Sequence, residues 1–411
     1  MYAERAGSGW RRVSYAEALR AVRSIGTALL LRGLSDARPV AVLSDNSVDH
    51  ALLALACQYV GIPVAPISQA YSLMSKDHAK LKAIFRLLDP GLVYVGDEAK
   101  FAGTLAALDE FRFDLVSSTP IPVGRSVSGV FASGSSVSAA SASGASAALR
   151  RTEAFDSLLS TSAGPAVDAA FAAVGPDTIA KFLFTSGSTG EPKGVINTQR
   201  MLCSNQVSWR ALWPFLVDTP PVLVDWMPWN HTFGGNADCN MVLANGGTLY
   251  IDDGKPAPGL IEKTAANLKE IAPTIYLNVP RVKAIAALAP LVQDIVLTGH
   301  DRDFIGFLLF PNLPACRNLA SDLPAEALPA TVLGHEAVKS LVHKGLRALQ
   351  LEGGGSSTYA QRALFLDEPP NIDAGEITDK GYINQRAVLQ RRVALVEVLQ
   401  AAAPVAGVIV L

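Results

Sequence analysis

The stretch Phe182–Thr198 reads FLFTSGSTGEPKGVINT and says more about this chain than any other. Its centre is rich in glycine and hydroxyl side chains, and a short apolar run lies on either side. Glycine leaves backbone N–H groups uncovered, so such a loop can wrap a phosphate, and Lys193 adds a mobile cation. The spacing excludes a Walker P-loop, because Pro192 separates Lys193 from the preceding glycine and Gly194 replaces the expected Ser or Thr. The sequence therefore predicts a phosphate-binding loop between two strands, with a Ser/Gly linker as the alternative.

Composition narrows the class of protein. The 411 residues are 49% hydrophobic and 18% charged, with a formal net charge of -2. A chain of this length is expected to form two domains with a large core. Its balanced charge gives no electrostatic reason to expect nucleic acid or an acidic membrane surface. The most apolar stretch, 51–67, is interrupted by Gln58, Gly61, Pro63 and Pro66, so we predict no membrane span.

The cysteines and the first residues bear on location. Four cysteines are far apart in the sequence and lack metal-ligand spacing: Cys57, Cys203, Cys239 and Cys316. This pattern predicts buried free thiols in a reducing compartment. The start, MYAERAGSGWRR, has no apolar core of a signal peptide. We therefore expect a cytoplasmic protein.

Hydrophobic periodicity in the first hundred residues predicts alternating strands and helices. A helix is expected from Ser14, with Glu17 completing a capping box and Gly33 as the stop. Further helices are predicted at 50–60 and from Ser75 or Asp77 to Leu88, and strands at 39–43, 63–66 and 92–95. This alternation is typical of a parallel sheet with helices on both faces.

The rest of the chain continues the mixed pattern after one low-complexity stretch. Residues 117–148, rich in Ser, Ala and Gly, are predicted to be a surface insertion that buries little apolar area. Helices are expected at 200–212, 260–271, 337–349 and 383–401, and from Arg281. Strands are expected at 177–184, 195–197, 222–226, 249–251, 274–279, 294–297, 307–310 and 362–366.

Four motifs point to one family. TSGSTGEPKGV, starting at Thr185, resembles the phosphate loop of the adenylate-forming superfamily, which includes acyl-CoA synthetases. DWMPWNHTFGGN, residues 225–236, resembles the next block of that family. NGGTLYIDDGKP and EIAPTIYLNVP look most like the feruloyl-CoA synthetase branch. The resemblance implies an α/β fold: an incomplete adenylate-forming large domain of mixed and parallel sheets flanked by helices, plus a small α+β C-terminal lid domain. The expected boundaries are 1–280 for the truncated AMP-binding domain, with the insertion at 117–148, and 281–411 for the lid.

The resemblance also implies a reaction and its cofactors. Family members activate a carboxylic acid with ATP and Mg²⁺, release pyrophosphate and pass the acyl group to the thiol of CoA. The phosphate contacts carried over are Thr185, Ser186, Gly187, Ser188, Thr189, Gly190 and Lys193. Lys380, in GEITDKGYINQ, resembles the catalytic lysine, although Asp379 replaces the usual glycine. A mobile cation there can bridge the carboxylate and α-phosphate; a solvated surface lysine is the alternative.

The second motif implies an acyl site. His231 matches the histidine beside the family's acyl pocket, and Trp229, Phe233 and Gly234 are the other substrate candidates. Aromatic walls would suit a small aromatic carboxylic acid such as ferulate. Trp226, Trp229 and Phe233 are equally suited to core positions, so the acid is implied by the branch resemblance alone. For His231 a core position is the alternative, and its setting in MPWNHTFGG favours the acyl site.

The polar run 300–303 (HDRD) is predicted to be a hairpin turn rather than a metal cluster, since such residues dominate turns, and no metal-ligating residue is predicted.

The family's adenine, magnesium and ribose motifs have no counterpart in this sequence. They belong between the stretch ending at Pro280 and the lid, where the chain continues directly with Arg281-Val282-Lys283. An N-terminal portion present in relatives is also expected to be missing. Unoriented ribose and exposed sheet edges predict impaired activity and a tendency to form homo-oligomers. The alternative to an impaired ligase is a non-catalytic remnant that binds nucleotide or acyl groups.

Overall fold

The computed structural model describes residues 1–121, 151–185, 192–255, 260–277, 281–299, 302, 304–352, 359–378 and 383–411, with backbone alone at 281–283, 286 and 352. The strands are β1 (Tyr2–Ala6), β2 (Gly9–Val13), β3 (Val40–Val42), β4 (Val64–Pro66), β5 (Leu92–Asp97), β6 (Asp114–Thr119), β7 (Thr152–Ala154), β8 (Ile179–Thr185), β9 (Lys193–Thr198), β10 (Val222–Asp225), β11 (Thr248–Ile251), β12 (Val292–Thr298), β13 (Gly306–Pro311), β14 (Arg362–Phe365) and β15 (Ile409–Val410).

The α-helices in the described ranges are α1 (Tyr15–Leu31), α2 (Val48–Tyr59), α3 (Ala79–Leu88), α4 (Ala102–Ala107), α5 (Phe155–Leu159), α6 (Pro165–Ala173), α7 (Gln199–Leu212), α8 (Cys239–Ala244), α9 (Ile261–Ile271), α10 (Arg281–Leu288), α11 (Leu313–Leu319), α12 (Pro329–Leu333), α13 (Glu336–Glu352), α14 (Gln385–Arg391) and α15 (Val393–Gln400). Pro214–Val217 is a 3-10 helix, and Ala70–Met74 and Phe233–Asp238 are π-helices.

The chain folds into two compact units. The first unit comprises Met1, Val13–Pro214 and Pro228–Asn240, and the second comprises Tyr2–Arg12, Phe215–Met227 and Met241–Leu411. The predicted domain boundary between Pro280 and Arg281 stays a prediction. Within the described ranges, no helix has the length and apolar character needed to cross a bilayer.

The first unit is built on a seven-stranded sheet in the order β7-β6-β5-β3-β4-β8-β9. The printed pairs from β7 to β8 are parallel, and β9 alone runs antiparallel to its neighbour β8. Buried three-residue strands such as β3 and β4 consist of apolar residues, as expected where helices cover both faces of a parallel sheet. The predicted parallel sheet is confirmed.

The start and the end of the first helices agree with the local signals in the sequence. The Ser14 side chain accepts from the Glu17 N–H while Glu17 bonds back to Ser14, which closes the predicted capping box of α1. Gly33 then takes a positive φ of 66°, the left-handed conformation that glycine tolerates best. The helix predicted at 50–60 is α2, and Gly61 follows it at φ 72°.

The second unit contains two four-stranded sheets. One has the order β10-β11-β1-β2, with β1 and β10 both parallel to β11. The other has the order β12-β13-β14-β15. Helix α13 packs its apolar face against this second sheet. In the core between them Ile295, Leu309, Val342 and Leu346 are almost fully buried.

Three sequence predictions for secondary structure were wrong. Residues 274–279 do not form a strand where they are described, because the Thr274 and Ile275 N–H groups both donate to the Val222 carbonyl and Ile275 makes a single bridge. The helix predicted at 383–401 is broken at Arg392, whose guanidinium is held in a buried ion pair with Glu376. The predicted insertion begins too early, since Ser117–Thr119 belongs to β6; residues 122–148 of it lie outside the described residues.

The cysteines are free thiols, as predicted, but their burial differs. Cys57 and Cys316 are buried, whereas Cys203 on α7 is exposed and Cys239 is half-buried. Cys203 lies on α7, where Leu202 and Gln206 are the buried residues.

Candidate functional site

The two ends of the glycine-rich loop are held next to each other. Strands β8 and β9 pair antiparallel with Phe182 opposite Ile196 and Thr185 opposite Lys193. The predicted strand–loop–strand arrangement is therefore confirmed. Thr185 and Lys193 are both exposed at the end of this hairpin next to the loop, so a hydroxyl and an ammonium group are available to an anion. Ser186, Gly187, Ser188, Thr189 and Gly190 lie outside the described residues.

The aromatic–histidine–glycine motif forms a tight turn that enters the π-helix Phe233–Asp238. The His231 N–H donates to the Pro228 carbonyl at 3.1 Å, and the Gly235 N–H donates to the His231 carbonyl at 2.8 Å. The Phe233 N–H approaches His231 Nδ1 at 3.4 Å, which places the imidazole over the start of the π-helix. His231 and Phe233 are half-buried, whereas Gly234 is buried.

Gly235 is required by a close backbone approach. A Cβ at this position would lie 2.3 Å from the Trp229 carbonyl oxygen, which real Cβ atoms essentially never do. The second glycine of the motif therefore lets the π-helix fold back against the turn before it. Sequence reasoning selected Gly234 and missed Gly235.

Trp229 is packed inside the first unit. Its backbone N–H donates to Asn46 Oδ1 at 3.1 Å, and its ring meets His50 edge-to-face at a centroid distance of 5.0 Å. The side chain is 6% exposed. These contacts explain a core role for Trp229, and its predicted role as a wall of an acyl site stays a prediction.

A buried lysine lies beneath this turn. Lys181, in the middle of β8, donates from Nζ to the Gly235 carbonyl at 3.0 Å and is 6% exposed. Burial lowers the pKa of Lys181 from 10.5 to about 8, because a charged ammonium is poorly solvated there. Sequence reasoning missed this residue, although a charged residue inside the apolar run IAKFLFT is itself a signal.

Two further polar side chains reach the same π-helix. Gln206 on α7 donates from Nε2 to the Asn236 carbonyl at 3.1 Å. The Asn236 side chain in turn donates from Nδ2 to Asn197 Oδ1 on β9 at 2.8 Å and to Thr232 Oγ1 at 3.2 Å. Asn197, Gln206 and Asn236 are all buried. The π-helix is thus bonded to β8, β9 and α7.

His50 on α2 is an uncharged neighbour of this network. Burial lowers its pKa from 6.5 to about 4, and the Coulombic effect of Lys181 acts in the same direction, while a contact between Nδ1 and the Asp45 carbonyl at 3.2 Å opposes both. His50 is 2% exposed. It is therefore neutral near pH 7.

The second unit contains a buried pair of carboxylates that sequence reasoning also missed. Asp225 ends β10 and Asp252 follows β11, and the Asp252 N–H donates to the Asp225 carbonyl at 3.0 Å. Asp225 Oδ1 accepts from the Met227 N–H at 2.9 Å, and Asp252 Oδ1 accepts from Asn267 at 2.7 Å. Burial raises the pKa of Asp225, and the nearby Asp252 raises it further. The sequence signal for this pair is an aspartate at the end of each of two strands, Asp225 and Asp252, since the carboxyl ends of parallel strands meet at one edge of a sheet.

Lys380 lies outside the described residues, but residues on both sides of its segment are hydrogen-bonded to each other. Ile377 and Ile383 form an antiparallel bridge, and the Asn384 N–H donates to the Glu376 carbonyl at 2.8 Å. The fully buried Glu376 carboxylate accepts from Arg392 Nε at 2.8 Å and from Arg392 Nη2 at 3.0 Å. His300, Asp301 and Asp303 are also outside the description, so the turn interpretation stays a prediction.

Known proteins resemble this chain in sequence. A family model described as AMP-binding enzyme matches residues 2–332. The chain is 26% identical over 278 residues, 65% of its length, to a propanoyl:CoA ligase of Rhodococcus jostii whose acyl group carries an indenyl ring system. It is 26% identical over 241 residues, 59% of its length, to the indoleacetate–CoA ligase of Aromatoleum aromaticum. The chain spans 48% of the first relative and 40% of the second, half of their length or less.

A solved structure resembles the fold over nearly the whole chain. The adenylation domain of a carboxylate reductase from Mycobacterium chelonae has a TM-score of 0.63 and 14% sequence identity, covering 97% of this chain and 88% of that domain. At this identity the likeness bears on the fold alone. It confirms the predicted α/β architecture of parallel sheets flanked by helices.

Proposed function

The chain belongs to the family of AMP-binding enzymes, and from this premise we propose that it is an ATP-dependent acid–thiol ligase that forms an acyl-CoA. The observation that carries the proposal is the hairpin of β8 and β9, which sets Thr185 and Lys193 opposite each other at the mouth of the glycine-rich loop. An exposed hydroxyl and cation on either side of a glycine-rich sequence suit a polyphosphate. ATP therefore fits the residues present.

The proposed roles follow the order of the reaction. When bound, ATP supplies an α-phosphorus for attack by a carboxylate oxygen, with pyrophosphate as the leaving group; the CoA thiol then displaces AMP from the acyl carbon. The residues from Thr185 to Gly190 and Lys193 would bind the β- and γ-phosphates. Lys380, between the bridged Ile377 and Ile383, would bring a cation to the carboxylate and α-phosphate. Mg²⁺ would be held by phosphate and water oxygens.

We propose an aromatic, ferulate-like acid as the substrate. His231, Trp229, Phe233 and Gly234 would lie beside its ring or carboxylate, in line with the branch that the sequence resembles. The indoleacetate–CoA ligase among the relatives is named for an aromatic acid, which supports this class. A panel of ferulate, indoleacetate and a saturated acid of equal length would test it, and a preference for the saturated acid would contradict it.

We also propose that turnover is low, because the family's adenine, magnesium and ribose motifs are not found in the sequence between Pro280 and Ala289. We likewise propose that the protein is cytoplasmic and that it associates with itself. Sedimentation of the purified chain tests the association.

ATP–pyrophosphate exchange tests the activity directly. Acid-dependent exchange that is slow and falls by about 10²-fold in Lys193→Met supports the ligase proposal. Lys76→Met is the matched control, since Lys76 is exposed in the same unit and far along the chain from the loop. Rapid exchange contradicts the low turnover. Calorimetric ATP binding without exchange favours the nucleotide-binding remnant, and neither binding nor exchange overturns both readings.

A further inference from the structure

The π-helix Phe233–Asp238 and the strands of the glycine-rich loop share a buried polar network. Lys181 is four residues before Thr185 on β8, and Asn197 is four residues after Lys193 on β9. Both side chains are buried and both hydrogen-bond to the π-helix, at the Gly235 carbonyl and the Asn236 side chain respectively. Each strand of the hairpin is thus bonded to the same short element.

The π-helix makes these bonds possible. Its wide repeat directs the Cys239 N–H to the Gly234 carbonyl, five residues back. The next two carbonyls accept from side chains: Gly235 from Lys181 and Asn236 from Gln206. Because Gly235 has no Cβ, the turn can approach the Trp229 carbonyl closely enough for its own carbonyl to meet Lys181.

Burying an ammonium group is costly, so its retention needs a reason. Apolar residues of similar volume often stabilise a core as well as or better than a buried charge. Lys181 gives up solvation for a bond to a backbone carbonyl, and the depressed pKa of Lys181 reports that cost. A bond that fixes one element relative to another is the benefit that the geometry offers in return.

We infer that Lys181 and Asn197 are positioning residues that couple nucleotide binding at Thr185 and Lys193, on β8 and β9, to the conformation of the π-helix carrying Phe233 and Gly234. This inference rests on the proposed function. When nucleotide contacts Thr185 and Lys193, β8 and β9 are held in one arrangement, and the two bonds transmit that arrangement to the candidate acyl site. Nucleotide then raises the affinity for acid, and acid raises the affinity for nucleotide by the same factor.

Hydrogen–deuterium exchange of the full chain measures this coupling without turnover. A non-hydrolysable ATP analogue with Mg²⁺ is expected to slow exchange in residues 179–198 and also in residues 228–240. In Lys181→Met the protection of 179–198 should remain while that of 228–240 is lost. Calorimetry measures the coupling as a ratio of dissociation constants. The analogue should lower the Kd of ferulate by about fivefold or more in the natural chain and leave it unchanged in Lys181→Met.

A matched control is provided by the other π-helix. Thr104 is buried and donates from Oγ1 to the Ser72 carbonyl in Ala70–Met74 at 2.7 Å, so Thr104→Val also removes one buried bond to a π-helix in the same unit. It is expected to keep full protection of 228–240. Asn197→Ala removes the second tie and should weaken that protection whether or not Lys181→Met folds.

Each outcome decides the inference. Protection of 228–240 that persists in Asn197→Ala, or in folded Lys181→Met, overturns the coupling while nucleotide binding stands. Equal loss in Thr104→Val also overturns it, since the effect would then be general loosening. Protection of neither segment in the natural chain overturns both the coupling and nucleotide binding.

Discussion

Replacing His50 by Gln should remove a defined part of the pH dependence of stability. His50 is neutral in the folded protein because burial lowers its pKa from 6.5 to about 4. Between these values the unfolded chain binds a proton that the folded chain does not, so the contribution of His50 to stability is present above pH 6.5 and is lost as the pH falls toward 4. Gln has no titrating group, yet its amide can still donate to the Asp45 carbonyl.

The magnitude follows from the two pKa values. At about pH 5, protonation favours the unfolded state by about 2 kcal/mol relative to about pH 7.5, taking the folded pKa near 4 and the unfolded value of 6.5. The free energy of unfolding of the natural chain should therefore fall by about 2 kcal/mol more than that of His50→Gln over this interval. The difference between the two proteins removes the contributions of all other groups.

Urea titrations at the two pH values measure this difference, with hydrogen exchange of residues 44–60 reporting the opening of α2. His343→Gln, at an exposed position on α13, is the control, and its free energy of unfolding should change between the two pH values by the same amount as that of the natural chain. An identical pH dependence in the natural chain and His50→Gln would refute the reasoning, because His50 would then titrate equally in both states.

Three further substitutions test other buried features. Gly235→Ala should destabilise the first unit by about 1–3 kcal/mol or more in urea titrations, since its Cβ would lie 2.3 Å from the Trp229 carbonyl oxygen. The pKa of Asp225 is raised in the folded protein, so its contribution to stability exists at low pH and is lost as the pH rises. Asp225→Asn should therefore raise the free energy of unfolding by about 1–3 kcal/mol at high pH and make it depend less on pH. Glu376→Gln should cost about 3–5 kcal/mol in thermal or urea unfolding, because Arg392 would keep an uncompensated buried charge.

Each of these substitutions has a control at an undemanding position. Gly103→Ala adds a Cβ with no atom within 4 Å, and Asp218→Asn and Glu326→Gln change exposed carboxyl groups. All three should leave stability within about 0.5 kcal/mol. A variant that behaves like its control contradicts the corresponding reasoning.

Local signals predicted much of the fold. The helix α1 was predictable because Ser14 and Glu17 cap it through atoms three residues apart. The hairpin of β8 and β9 was predictable because two apolar runs flank a loop of few residues, so their pairing costs little chain entropy. The broken helix at Arg392 was not, since the break accompanies an ion pair with Glu376, which lies outside the predicted helix, 16 residues before Arg392.

The missed site residues share a different cause. Lys181 looked like one polar residue in an apolar strand, and its role depends on the Gly235 carbonyl 54 residues later. Asp225 and Asp252 become neighbours through the parallel register of β10 and β11, which the sequence of either strand does not specify. The π-helix itself depends on a close backbone contact at Gly235 that no residue propensity describes.

The position of β9 at the end of its sheet has a kinetic consequence. In the sheet as described, β9 has the single neighbour β8, and Val195 and Ile196 on it are 47% and 50% exposed. Opening the loop end of β9, from Lys193 to Ile196, would break one ladder of hydrogen bonds and leave the Asn197 bond to the π-helix in place, so it is a local event of low free energy. The rate at which the hairpin admits the phosphates of the proposed nucleotide should then depend on this fraying and be insensitive to substitutions, such as those in the second unit, that change only global stability.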